Sequence, residues 1–330
     1  MDIEKILNDN FRGCALIYEK QKIILKKAFG YADVPNKIKN QLDTKLATAS
    51  AGKVFVAVGI LQLIEKGLLH FEDRIGEIFD FDLNQINSNI KVEQLLNHTS
   101  GIPDYFDESV MKDYEQLWTD YPNYKIRSNK DIVPLFIDKP MMYSCGSKFQ
   151  YNNTGYVVLA EIIEKITGVE FDIYLQDNVF KPCGMYSTGY YELDRMPEKC
   201  AVNYIYDEKR DEYRTNIFSV DAKGTGAGGA FTTIGDMQLF WDCLLSYKLL
   251  SLTMTNNMIS NHSGIEECYG YGIWLKNCNG CFIPYFQGSD PGVSFISLYD
   301  MQKQRLIVLI SNFGDDVWKL LREIDINYAK

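Results

Sequence analysis

Strand-like segments lie at both ends of this chain, and helical segments lie between them. Residues 13–18 and 22–28 are β-rich runs around a short polar turn, which predicts a hairpin. Residues 269–277, 281–287, 293–299 and 305–311 form a second group with short turns, the pattern of an antiparallel meander. A lone hairpin is marginal in water, so the economical solution is one sheet built from both groups. The expected fold class is therefore α+β: an antiparallel sheet flanked by helices, with an inserted, mostly helical domain. Residues 1–70 and 204–330 would form the sheet domain, and 71–203 the insert.

The helical pieces have recognisable ends. Residues 50–67 are apolar almost all round, through Val54, Val56, Val58, Leu61, Leu63 and Ile64, so this helix should be deeply buried and closed by Gly67. In the insert, 92–97 and 155–167 are the clearest helices, the latter closed by Gly168. Residues 237–245 are helix-like, and 317–328 read as a closing helix.

Composition narrows the function classes. With 330 residues, 46% hydrophobic and 24% charged, the chain can bury a sizeable core. Its net charge of −10, without a Lys/Arg cluster, argues against nucleic acid or an anionic membrane surface as partner. Met1-Asp2-Ile3-Glu4-Lys5 places acids where an export signal needs a basic start. The longest apolar run, 54–61, is far short of the roughly 20 residues that span a bilayer. The expectation is a soluble chain with no membrane span, acting on a small molecule, cytoplasmic as given and with an extracytoplasmic location as the alternative. No feature specifies an oligomeric state.

Eight irregularly spaced cysteines do not form a disulfide scaffold. Cys278-Asn279-Gly280-Cys281 is either half of a zinc site, with Cys268 and His262, or an Asn-Gly hairpin turn between two cysteines. No second close pair exists, so the turn is preferred and no metal or other cofactor is expected.

Three short strings carry candidate chemistry. Ser50-Ala51-Gly52-Lys53 is an S-x-x-K at the start of the buried helix. Positions three apart share a helical face, so the ammonium can sit beside the hydroxyl. A lysine on an apolar helix loses solvation, which lowers its pKa and suits it to act as a base. The string also describes a serine N-cap followed by an incidental lysine. Tyr151-Asn152-Asn153 precedes the helix at Gly155; a tyrosine can shuttle protons, and Asn153 can both donate and accept hydrogen bonds. Gln287-Gly288-Ser289 lies on a strand beside Asp290-Pro291-Gly292, where a glycine lets substrate approach the backbone.

Taken in order, these strings resemble the serine β-lactamase and penicillin-binding-protein superfamily, especially its class C and esterase-like branch. The resemblance covers nearly the whole chain. It runs through Ala47-Thr48-Ala49-Ser50-Ala51-Gly52-Lys53, Leu95-Leu96-Asn97-His98-Thr99-Ser100-Gly101-Ile102-Pro103, Phe149-Gln150-Tyr151-Asn152-Asn153-Thr154-Gly155-Tyr156, Ala227-Gly228-Gly229 and Gly288-Ser289-Asp290-Pro291-Gly292. It implies that Ser50 forms an acyl-enzyme, that Lys53 and Tyr151 share the proton work, and that Asn153 holds substrate. It also implies an oxyanion hole from the backbone N–H groups of Ser50 and Ser289, and a site between sheet and helical insert.

The chain departs from that family's pattern at Phe286-Gln287-Gly288, where a Lys or His usually opens the third motif. Phe286 supplies no cation for a substrate carboxylate and none to lower the pKa of Tyr151. Neutral Lys53 as base with Tyr151 as relay then becomes the favoured scheme. The expected substrate-binding set is Asn153, Phe286, Gln287, Gly288 and Ser289, with Tyr105, Phe106 and Phe286 lining an apolar cleft. Cys145-Gly146 replaces the usual Pro-Gly and is a loop difference. Gly224–Gly229 contains G-x-G-x-x-G without a parallel βαβ context, and is expected to be a loop bordering the site. His70, His98 and His262 are too few and scattered to favour a Ser-His-Asp triad.

The leading expectation is a serine hydrolase acting through an acyl-enzyme on an ester or amide. The second is a β-lactamase or D-Ala-D-Ala carboxypeptidase, with Arg214 or Lys223 replacing the missing cation. The third is a weakly active or inactive ligand-binding or sensor protein that keeps the fold.

Overall fold

A hairpin and a distant meander meet in one sheet. In the computed structural model, residues 3–8, 11–80, 82–264, 268–278 and 280–325 are described. A short helix, Ile3–Asn8 (α1), precedes the hairpin Gly13–Glu19 (β1) and Lys22–Phe29 (β2). Lys20 and Gln21 both have positive φ, 47° and 64°, the twist that a two-residue hairpin turn requires. The meander comprises Trp274–Cys278 (β3), Cys281–Asp290 (β4), Val293–Asp300 (β5) and Arg305–Ser311 (β6). The sheet order is β2-β1-β6-β5-β4-β3, with every neighbouring pair antiparallel. Gly13 pairs with Ser311 and Glu19 with Arg305, so the two chain regions join between the second and third strands of the sheet.

Both faces of this sheet are covered, which is why its central strands are apolar runs with little polar alternation. Leu16, Phe286, Phe295, Val308 and Ile310 belong to the core on one face. Ala15, Ile17, Ile296, Ile307 and Leu309 face the other way, towards Leu7 of α1 and a helix at Val317–Ile324. Residues 326–328 of the expected closing helix lie outside the described residues, as does Asn279 of the expected Asn-Gly turn. Cys278 and Cys281 face each other across β3 and β4.

The expected helix at 50–67 is divided. A 3-10 turn, Ala49–Gly52, carries Ser50, and the α-helix proper is Lys53–Glu65 (α2). Every residue from Lys53 to Leu63 is buried. Asn153–Thr167 (α3) begins two residues before the expected start because the Asn152 side chain caps it, accepting from the Gly155 N–H at 2.8 Å. Gly168, with φ 74°, closes it. Ile234–Leu245 (α4) is capped by Thr233 and packs on the sheet through Phe240 and Trp241. The closing helix Val317–Ile324 is α5. One core runs from the sheet through α2 into α3 and the rest of the insert. We therefore propose the division into 1–70 with 204–330 and 71–203 as a division of chain path, with α2 as the shared wall. Among the described residues, no helix is long and apolar enough to cross a membrane.

Candidate active site

The turn that carries Ser50 is held from both sides by backbone. Ala47 pairs with Phe231, the Thr48 N–H donates to the Ala230 carbonyl at 2.8 Å, and the Gly229 N–H to the Ala49 carbonyl at 3.1 Å. Ala49 itself has φ 48°, a left-handed conformation that costs a non-glycine residue free energy and tilts Ser50 out of the helix. On the other side β4 presses directly on the turn. A Cβ on Gly288 would stand 2.3 Å from the Thr48 carbonyl oxygen and 2.7 Å from the Ser50 nitrogen, so only glycine fits.

Lys53 is 2% exposed, and its Nζ donates to Ser50 Oγ at 3.0 Å, to Asn153 Oδ1 at 2.9 Å and to the Ala227 carbonyl. Burial pulls its pKa down to about 8, opposed by the charges of Glu108, Asp104 and Asp290. Tyr151 hydrogen-bonds Ser50, and burial holds its phenol well above the usual range, so it is neutral and carries its proton. Its ring lies 5.0 Å from Lys53 Nζ and is flanked by Trp274 at 5.8 Å and His98 at 4.6 Å. His98 is buried, kept neutral by burial and by Lys53, and its Nδ1 accepts from the Asn152 N–H at 3.2 Å. It holds the segment that bears Tyr151.

Asn153 has both ends of its amide engaged. Its Oδ1 accepts from Lys53, and its Nδ2 donates to the Phe106 carbonyl at 3.0 Å, with Glu108 Oε1 at 3.4 Å. Asp104, absent from the expected site, is the anchor beneath it. Its carboxylate accepts from the N–H groups of Asn153 at 2.9 Å and Thr154 at 3.1 Å, at the start of α3. The signal for it was positional: Asp104 directly follows the His98–Pro103 string.

Ser50 opens into a cleft of about 550 Å³, lined in part by Tyr105, Phe106, Asn153, Ser289 and Asp290. Gly224, Ala227, Gly228 and Gly229 border it, where the glycine loop was expected. Two expected contacts are corrected. Phe286 is 2% exposed and packs against Phe240, Trp241 and Phe295, inside the core between sheet and α4. Gln287 points to the opposite sheet face, where its Oε1 accepts from Trp318 Nε1 of α5 at 2.7 Å. Strand alternation explains both: Gly288 faces the Ser50 turn, Phe286 lies deeper on the same face, and Gln287 faces away. Neither expected replacement cation lines the cleft. Arg214 pairs with Glu115 at 2.6 Å, and Lys223 with Asp172 at 2.7 Å. Cys145 is half-buried beside Asn87, and burial pushes its thiol up, which removes nucleophilic character.

A sheet with a serine, lysine and tyrosine gathered where it meets a helical insert defines a penicillin-binding-protein-like architecture. A penicillin-binding protein from Bacillus halodurans has the same fold, with a TM-score of 0.93 over 98% of each chain and 34% identity. Residues 5–316 match the family described as Beta-lactamase, and the chain belongs to that family, whose members are serine hydrolases. Penicillin-binding protein 4* of Bacillus subtilis (strain 168) is 28% identical over 93% of this chain and 69% of its own length. D-amino acid amidase from Ochrobactrum anthropi SV3 shares the fold, with a TM-score of 0.80 and 22% identity over 99% of this chain and 96% of its own.

Proposed function

We propose that the protein is a serine hydrolase that cleaves a small ester or amide through an acyl-enzyme on Ser50. The observation that carries this reading is the contact of Lys53 Nζ with Ser50 Oγ at 3.0 Å in a desolvated setting. Neutral Lys53 takes the Ser50 proton as the Ser50 oxygen bonds to the carbonyl carbon. The backbone N–H groups of Ser50 and Ser289 receive the oxyanion. Collapse breaks the bond to the leaving group, which takes its proton through Tyr151 from Lys53. Water then hydrolyses the Ser50 ester by the same steps in reverse roles. Asn153 positions Lys53 in this scheme; the bonds on both ends of its amide support positioning over direct substrate contact.

A second reading, β-lactam hydrolysis or D-Ala-D-Ala carboxypeptidase action, draws support from the penicillin-binding relatives. The core position of Phe286 and the ion pairs of Arg214 and Lys223 weigh against a carboxylate-bearing substrate. A catalytically silent binding protein is disfavoured by a buried lysine held beside a serine, an arrangement that binding alone does not need. The test is intact-mass detection of a covalent adduct with a fluorophosphonate and with a fluorescent penicillin, alongside hydrolysis of short p-nitrophenyl esters. A fluorophosphonate adduct that Ser50→Ala abolishes is expected, together with ester turnover. No adduct and no turnover would sink the hydrolase reading, and a stable penicillin adduct would promote the second one.

A further inference from the structure

The cleft that holds Ser50 has a one-sided charge. Among the described residues lining its walls, Glu108, Asp113, Asp221 and Asp290 are acidic and exposed Lys112 is basic, while Lys53 is buried beside Ser50 on the floor. These carboxyls form no separate site; they are the walls of the one that contains the nucleophile. Asp290 directly follows Ser289 on β4, so it stands one residue from the N–H group assigned to the oxyanion. Its carboxylate has no hydrogen bond and no ion pair among the described residues. Asp221 accepts from Tyr114 Oη at 3.1 Å, and Tyr114 in turn lies 3.3 Å from Tyr105 Oη.

The electrostatic state of these groups shows what they lack. Burial and the nearby Asp221 push Asp290 up to about 8, while Lys53 pulls the other way and Glu108 adds to the rise. Burial pushes Asp221 up to about 7 against its Tyr114 hydrogen bond. Burial and mutual repulsion disfavour the ionised forms of these two carboxyls, which form no ion pair among the described residues, so a cation brought in would favour their ionisation and be held by it. The Phe106 and Tyr114 rings, edge-to-face at 4.8 Å, add aromatic wall on the same cleft.

We infer that the substrate carries a cation in its acyl part, held by Asp290 and Asp221 beside the scissile carbonyl. The charge preference is thus opposite to that of a site built for a substrate carboxylate. An acyl-borne cation stays bound through both acylation and deacylation, so it can favour both transition states. This inference rests on the acyl-enzyme reading above.

The test compares two phenyl esters at low ionic strength: a γ-trimethylammoniobutyryl ester and its uncharged tert-butyl isostere, whose charges do not change with pH. In the wild type, kcat/KM for the cationic ester is expected to exceed the other about tenfold or more, and to fall towards it as salt is added. The ratio should shrink in Asp221→Asn and approach one in Asp221→Asn/Asp290→Asn. A wild-type ratio near one, or a high ratio that both variants retain, overturns the inference. Fluorophosphonate labelling of Ser50 is run on all three proteins to show that each is folded and competent. If the wild type neither labels nor cleaves either ester, the failure belongs to the acyl-enzyme reading and not to the charge assignment.

Discussion

The floor of the cleft and its acidic wall treat buried charge in opposite ways. On the floor, Lys53 has three hydrogen-bond acceptors, Asn153 is engaged at both ends, and Asp104 accepts two backbone N–H groups. On the wall, Asp290 has no hydrogen bond or ion pair among the described residues; burial and the charges of Asp221 and Glu108 disfavour its ionised form, against a pull from Lys53. A satisfied network is rigid and holds a geometry; an unsatisfied one is costly and is relieved by a ligand. On the proposed function, the floor would serve the chemistry and the wall the selection of substrate. Lys53 belongs to both, because the carboxyls oppose the fall in its pKa that burial causes.

Substitutions on the floor and on the wall separate the two arrangements. Ser50→Ala should remove the covalent adduct and lower ester turnover about a thousandfold or more, read by intact mass and initial rates. Lys53→Met should lower acylation about a thousandfold, and the wild-type rate should climb as pH rises through about 8, because the base acts when neutral. Asp104→Ala leaves the donors of Asn153 and Thr154 without their acceptor and should cost about 2 kcal/mol in urea unfolding, with a matching loss of activity. Tyr151→Phe should slow acylation about tenfold to a hundredfold yet keep the climb with pH; loss of that climb would transfer the base role to Tyr151.

The wall responds more weakly and with the opposite pH sign. The Asp290 carboxyl is raised from 3.8 to about 8 in the folded protein, so the folded state holds a proton that the unfolded chain releases. Its contribution to stability is full below 3.8 and is lost as pH rises towards about 8. Asp290→Asn should therefore melt about 2 °C above wild type at alkaline pH and level with it in acid. Equal melting at both ends would show a hydrated wall and end the contrast. Smallest of all, Gln287→Ala should leave kcat/KM within about twofold and cost about 1 kcal/mol of stability through Trp318.

Much of this arrangement was legible in the residue pattern. The apolar runs at 13–18, 293–299 and 306–310 specified the inner strands of the sheet, because strands buried on both faces must be largely apolar. The spacing of Ser50 and Lys53 placed hydroxyl and ammonium on one side of a turn. Phe286 and Gln287 were misplaced because a motif is read as a string, whereas a strand sends successive side chains to opposite faces. Phe286 then follows the core and Gln287 the far side. Asp104, Asp221 and Asp290 were missed for a different reason. Carboxylates are common in an acidic chain, and only tertiary contact shows which ones lose water or meet a backbone N–H.

The contact between Gly288 and the Ser50 turn also sets a timetable. Residue 50 leaves the ribosome early, but its turn rests against β4, and β4 joins β1 through β5 and β6. The turn that carries Ser50 therefore lacks its final packing until residues up to 311 have emerged and paired. On the proposed mechanism, a nascent or truncated chain carries the serine and the lysine without their seat, so hydrolytic competence would be a late certificate of completed folding.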